Sequence, residues 1–289
     1  MTPPIPLFDG HVNRYNFGKS SVPIPRIYFV NGIRVTNRSH ARNATYLSML
    51  IERPVWGVYN ATWGLDTLGS TADFAQCLLD YTKIIMDKFG STVSYPKPPK
   101  IPADKVDEFL SNVEKKNIVW NRATLQLFKQ LVRHRHQEQK IIAHSQGNLI
   151  TSNALFVLED VLGSASLKNI RVYSLASPAP AWPMGLRHTH GGGGRQDNLF
   201  TNDLVALFRP HNLAKKIGIG SFKNSQGSIR TDHNAPPVSI LPHDIGLNIT
   251  ATNFLSSIRK DLGISDKVTP EFVSKCEDKI DSFFPKEKT

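Results

Sequence analysis

The chain has 289 residues, 40% of them hydrophobic, and a formal net charge of +11 at pH 7. That length and apolar share mark a folded globular protein, either one large α/β domain or two small ones. Two cysteines far apart, Cys77 and Cys276, exclude a disulfide framework and a zinc-finger spacing, and the positive balance favours anionic partners: phospholipid surfaces, acidic substrates or nucleic acid.

Residues 1–25, "MTPPIPLFDGHVNRYNFGKSSVPIP", read as a Pro-rich arm. They hold no basic n-region followed by an apolar h-region, and no apolar run approaches membrane-spanning length. Cytosolic synthesis and a soluble product are therefore expected, with export by a route that needs no cleavable signal left open. "RIYFVNGI" reads as a buried strand ending at Asn31 and Gly32, "NRSHARNATYLSMLIER" as the helix that follows, and "PVWGVYN" as a second buried strand. From Asp66 to Phe89 the periodicity is helical, with Leu78, Leu79, Ile84 and Ile85 among the apolar positions, and it stops at Gly90. "STVSYPKPPKIPADK" is a Pro-rich loop, and "VDEFLSNVEKKNIVWNRATLQLFKQLVRHR" is mostly helical.

A strand at "KIIAH" follows, then a helix from Gly147, strands in "NIRVYSLASP" and "DNLFTND", and a closing helix around "TATNFLSSIRKDLG". "HTHGGGGRQ", with His188 and His190, reads as a flexible excursion between strands, because its glycine run and lack of a third ligand disfavour a metal site. Continuous apolar strands alternating with helices predict an α/β fold: a mainly parallel sheet with helices on both faces, one domain over residues 26–289.

Within "KIIAHSQGNLITSNALFVLEDV" an apolar run breaks at Ser145 and resumes as an amphipathic helix. Ala143 and Gly147 supply the small residues that a sharp turn between strand and helix needs. "AHSQG" resembles the Gly-x-Ser-x-Gly nucleophile elbow of the α/β-hydrolase superfamily, particularly its lipase and esterase branches, with Ala in place of the first Gly. The resemblance covers roughly Arg26 to Leu262 in order of elements, and its specific residues are "AHSQG", "VNGI", "TND" and "LPHD". It implies ester hydrolysis through an acyl-enzyme, without a cofactor or metal. A hydroxyl is a poor nucleophile at neutral pH, so the superfamily's order requires an acid and then a histidine downstream.

On that resemblance Asp203, after "NLFTN", is the expected acid, with Asp197, Asp232 and Asp244 in reserve. His243, in "SILPHDIG", is the expected base, with His233 as competitor. One oxyanion donor would be the N–H of Gln146, and the second would be Gly32 or Ile33, where many lipases carry His-Gly. His144, Asn31 and Trp182 are expected to face the substrate, the last from "LASPAPAW", where Pro178 and Pro180 would share the rim. The alternative for Ser145 is a helix cap.

A basic insertion at about residues 209–232, carrying Arg209, Lys215, Lys216, Lys223 and Arg230, lies between the expected acid and base. It suits a lipase or phospholipase at an anionic membrane surface, with a secreted effector as one setting and an inhibitory or transport protein as an open partner class. Two rivals stand beside it: an esterase or thioesterase of a small soluble substrate, and a non-catalytic scaffold that binds an anion. Nucleic acid is disfavoured, since no zinc-finger, RNP-like or basic heptad motif accompanies the charge.

Overall fold

A computed structural model describes residues 3–17, 25–33, 35–61, 75–80, 82–84, 101–112, 121–175, 177, 179, 181–190, 254–264 and 267–285. Among them six strands form one sheet: β1 (Val12–Tyr15), β2 (Arg26–Val30), β3 (Val55–Val58), β4 (Gln139–His144), β5 (Ile170–Leu175) and β6 (Arg187–His190). The spatial order is β1, β3, β2, β4, β5, β6. Only β1 runs antiparallel to its neighbour; the other pairings are parallel.

The helices are α1 (Asn37–Leu50), α2 (Val106–Asn112), α3 (Arg122–Arg133), α4 (Gly147–Leu162), α5 (Phe254–Asp261) and α6 (Pro270–Phe283), and residues 75–80 and 82–84 are also helical. Side-chain oxygens start three of them. Thr36 accepts from the Ser39 N–H, Asn121 from Ala123 and Thr124, and Thr269 from Phe272, each satisfying donors that a helix start leaves free. Helix α4 ends at Gly163, whose φ of 81° lies in the left-handed region that glycine enters without strain.

Successive strand residues face opposite sides, so each strand feeds two cores. Phe29, Ile142 and Tyr173 pack with α1, α5 and α6 on one face, while Tyr28, Ile141 and Val172 pack with α2, α3 and α4 on the other. Each fully buried large apolar side chain contributes about 1.5–3 kcal/mol, which explains the apolar run Ile27–Val30 of β2 and the apolar centre Ile141–Ala143 of β4. Among the described residues no helix is long and apolar enough to cross a membrane.

Three elements differ from expectation. Part of the Pro-rich arm is strand β1, whose Tyr15 is wholly buried against α1. Residues His188–His190, expected to open a flexible excursion, belong to β6. Its polar side chains find partners on β5: Arg171 Nη2 donates to Thr189 Oγ1 at 3.1 Å, and His188 Nε2 lies 2.9 Å from Ser174 Oγ. A strand that satisfies polar groups this way needs no apolar run. Helix α6, for which no expectation was formed, packs on α1 through Ile280 and an ion pair from Arg42 to Asp281 at 2.8 Å. The "DNLFTND" strand and the basic insertion lie outside the described residues.

If β1 is integral to the fold, Tyr15→Ala lowers the unfolding free energy by about 3–5 kcal/mol in urea denaturation, the usual cost of emptying a buried aromatic site. A loss below about 1 kcal/mol would show that the N-terminal segment is dispensable.

Candidate active site

The turn between β4 and α4 is built on close approach. β4 lies beside β2 in parallel register, Val30 opposite Ala143, so the loops leaving both strands meet at the same end of the sheet. A Cβ on Gly32 would sit 2.5 Å from Ser145 Cβ and 2.9 Å from its Oγ, and one on Gly147 would sit 2.3 Å from the Val30 carbonyl oxygen. Any side chain at either position would force the loops apart.

Ser145 itself has φ 55°, in the left-handed region, where a residue with a Cβ is strained by about 1–3 kcal/mol. Its backbone is fully engaged. The N–H donates to the Leu175 carbonyl at 3.0 Å, and the carbonyl accepts from the Asn148 N–H at 2.9 Å and from Asn148 Nδ2 at 3.0 Å. The hydroxyl, by contrast, is 1% exposed as part of its residue and has no hydrogen-bond partner among the described residues. It caps nothing: α4 starts at Gln146 with no side-chain cap. The first N–H groups of this 16-residue helix therefore carry the positive end of its dipole toward the turn.

A buried polar chain joins the two loops. Asn31 Oδ1 accepts from His40 Nδ1 at 2.7 Å and from the Asn60 N–H at 2.8 Å, while Asn31 Nδ2 donates to the carbonyls of Gly32 at 2.9 Å and Asn60 at 2.8 Å. Asn60 Nδ2 then donates to Gln146 Oε1 at 2.8 Å, and Gln146 Nε2 donates to Asp80 at 3.2 Å. Burial pushes the His40 imidazole down to about 3, so it is neutral, with Nδ1 carrying the proton it shares with Asn31. Burial pushes the Asp80 carboxyl up to about 6, against hydrogen bonds from Gln146, Gln76 and Asn121, with the Asp9 charge adding to the rise.

Apolar groups flank the turn: Ile33, Leu149, Ala179 and Ala181 pack with Cys77 and Ile84 in a small separate cluster. Of the residues expected at the site, Ser145, Gln146, Gly32 and Ile33 are therefore brought to one place. His144 is buried beside them. Asn31 does not face a substrate, because both ends of its amide are spent within the polar chain. Trp182 is partly buried and packs against the core on the α4 side, 4.3 Å between ring centroids from His188. Asp203, His243, the reserves Asp197, Asp232, Asp244 and His233, and Pro178 and Pro180 lie outside the described residues. Among the described residues no cluster of metal-binding side chains occurs.

Asp80 was missed in the sequence, although it left a signal. Cys77, Asp80 and Ile84 have helical spacing and are all buried, so an acid occupies the stripe that packs inward.

No protein-family model, curated protein or solved structure matches the chain.

Two outcomes test this geometry. Ser145→Gly unfolds about 1 kcal/mol harder than Ser145→Ala in denaturant, since only glycine relieves the left-handed backbone; equal stabilities would remove the strain. In ring-nitrogen NMR at pH 5, His40 keeps the neutral signature with Nδ1 protonated, and a charged ring at that pH would contradict its burial.

Proposed function

We propose that the chain is a serine hydrolase of α/β-hydrolase type that cleaves carboxylic esters through an acyl-enzyme. The observation that carries this reading is Ser145: a strained left-handed residue between strand and helix, with an uncapped hydroxyl and glycines where neighbouring chains touch it. A nucleophile elbow requires those features, and strain of this kind persists where function needs it. The sheet order supports the reading too, because it lays the β2 loop beside the elbow, where a second oxyanion donor is required.

In this mechanism Ser145 Oγ attacks the ester carbonyl as His243 takes its proton. The N–H of Gln146, with that of Gly32 or Ile33, receives the developing oxyanion. The carbon–oxygen bond to the leaving alcohol breaks, the imidazolium protonates that alcohol, and water then releases the acid by the same steps. Asp203 holds the imidazole tautomer and offsets its charge. Ile33, Leu149, Ala179 and Ala181 beside the turn favour an apolar acyl group. With the net charge of +11, this supports a lipase or phospholipase acting at an anionic surface. A helix-cap role for Ser145, on which the non-catalytic anion-binding reading depends, has the uncapped start of α4 against it.

Intact-mass labelling with a fluorophosphonate, in the presence of anionic vesicles, tests the proposal. Wild type takes one adduct, Ser145→Ala takes none, and ester hydrolysis falls by about 10⁴-fold or more in the variant. No adduct on folded wild type, or one that survives the substitution, would overturn it.

A further inference from the structure

We propose that Asp80 is a positioning residue: its carboxylate sets the direction of the buried Gln146 amide, which holds Asn60, and thereby fixes the spacing of the two loops that meet at Ser145. The inference rests on the ester-hydrolase reading, in which those loops carry the oxyanion donors.

An ionised carboxylate only accepts, and it offers about four lone-pair sites. Three side-chain amides donate to Asp80: Gln76 at 3.2 Å, Gln146 at 3.2 Å and Asn121 at 3.4 Å. Its main-chain carbonyl accepts a fourth amide, from Asn153 at 3.1 Å. With Nε2 of Gln146 committed to the carboxylate, Oε1 must face Asn60, which donates to it at 2.8 Å. Asn60 pairs with Asn31 through its own backbone, and Asn31 holds the Gly32 carbonyl. The continuous row of side-chain amides thus runs from Asn60 through Gln146 to the Asp80 acceptor, and bonds in such a row strengthen one another.

Backbone groups fix Asn31, since its oxygen takes the Asn60 N–H and its nitrogen reaches the Asn60 and Gly32 carbonyls, but Gln146 meets only side chains and could turn over, exchanging donor for acceptor. An acceptor-only end makes the choice. If Asp80 were neutral it could donate to Gln146, whose amide would then be free to turn over and bring two NH₂ groups face to face at Asn60. Gln146 follows the nucleophile directly, so that loosening reaches the oxyanion site within one residue.

The charge has no structural use that would compete with this role. Among the described residues no cation pairs with Asp80, and the groups hydrogen-bonded to its carboxylate are neutral amides. The charged group that acts on it is Asp9, of like sign. A buried charge without a counter-ion costs stability wherever it lies. This one lies a single hydrogen bond from the residue after Ser145. Because burial pushes Asp80 up to about 6, its protonation falls within the range in which the hydrolase would be assayed.

The test compares Asp80→Asn with wild type on a soluble chromogenic ester, after melting curves establish that both are folded. In the variant kcat falls about 10- to 100-fold, less than loss of an oxyanion donor, while KM stays within about twofold. The acid limb also changes. In wild type the base histidine and Asp80 both gain protons there, so log kcat against pH approaches a slope of two just below about pH 6 and returns to one once the variant's 10- to 100-fold loss is reached; the variant keeps a slope of one throughout. Wild-type kcat and an unchanged limb in a folded variant would overturn the role of Asp80. If the variant does not fold, the wild-type limb decides alone, slope two supporting the role and slope one overturning it. Absence of a fluorophosphonate adduct on folded wild type is the separate result by which the hydrolase reading falls, and the positioning role with it.

Discussion

The near-contact between Gly32 and Ser145 is the constraint on which the rest of the site depends. Parallel pairing of β2 with β4 brings their following loops to one point, and the missing Cβ atoms of Gly32 and Gly147 let them share it. The chain must then turn from strand to helix within a residue or two, which is why Ser145 takes a positive φ. Strain and a buried, unpartnered hydroxyl together cost a few kcal/mol. Two apolar cores, one on each face of the sheet, offset that cost by holding the strands in register.

Packing far from the turn also bears on it, because α1 carries the far end of the β2 loop. Helix α1 is held at its C-terminal end by Arg259, a buried cation that donates to the Leu50 carbonyl at 2.7 Å and to Glu52 at 3.0 Å and lies over the Phe272 ring. Helix α6 braces the same helix through Ile280 and the pair from Arg42 to Asp281. That ion pair is partly exposed and contributes little energy, so apolar contact does most of the holding. His40, on the first turn of α1, carries the restraint forward to Asn31.

What the sequence discloses follows from how each residue earns its place. Strands β2, β4 and β5 are buried on both faces and so carry apolar residues at their centres, and Ser-x-Gly between a strand and a helix leaves few alternatives. Strand β6 escapes such a reading because its His188 and Thr189 are met by Ser174 and Arg171 of β5, a tertiary fact with no local pattern. Asn31 shows the same limit. Asparagine before glycine at a strand end reads as a turn or a ligand group, and only the position of Asn60, 29 residues away, turns it into a brace. Helix α6 was legible in principle, through Thr269 as cap, Pro270 at the first position and Glu271 in the first turn.

The two ends of the amide chain answer pH in opposite senses. His40, pushed down to about 3, favours its neutral form in the fold; its contribution is complete above about pH 6.5 and is lost as pH falls toward 3. Asp80, pushed up to about 6, favours its protonated form, so the fold gives up stability as pH rises from its ordinary value of 3.8 through 6. Between about pH 4 and 6 these two contributions oppose each other. The direction of the Gln146 amide does not share in that opposition, because it follows Asp80, while His40 bonds Asn31 at the other end. Protonation of Asp80 bears first on the Gln146 amide beside Ser145, while the backbone pairing of β2 with β4 contains no group that titrates there.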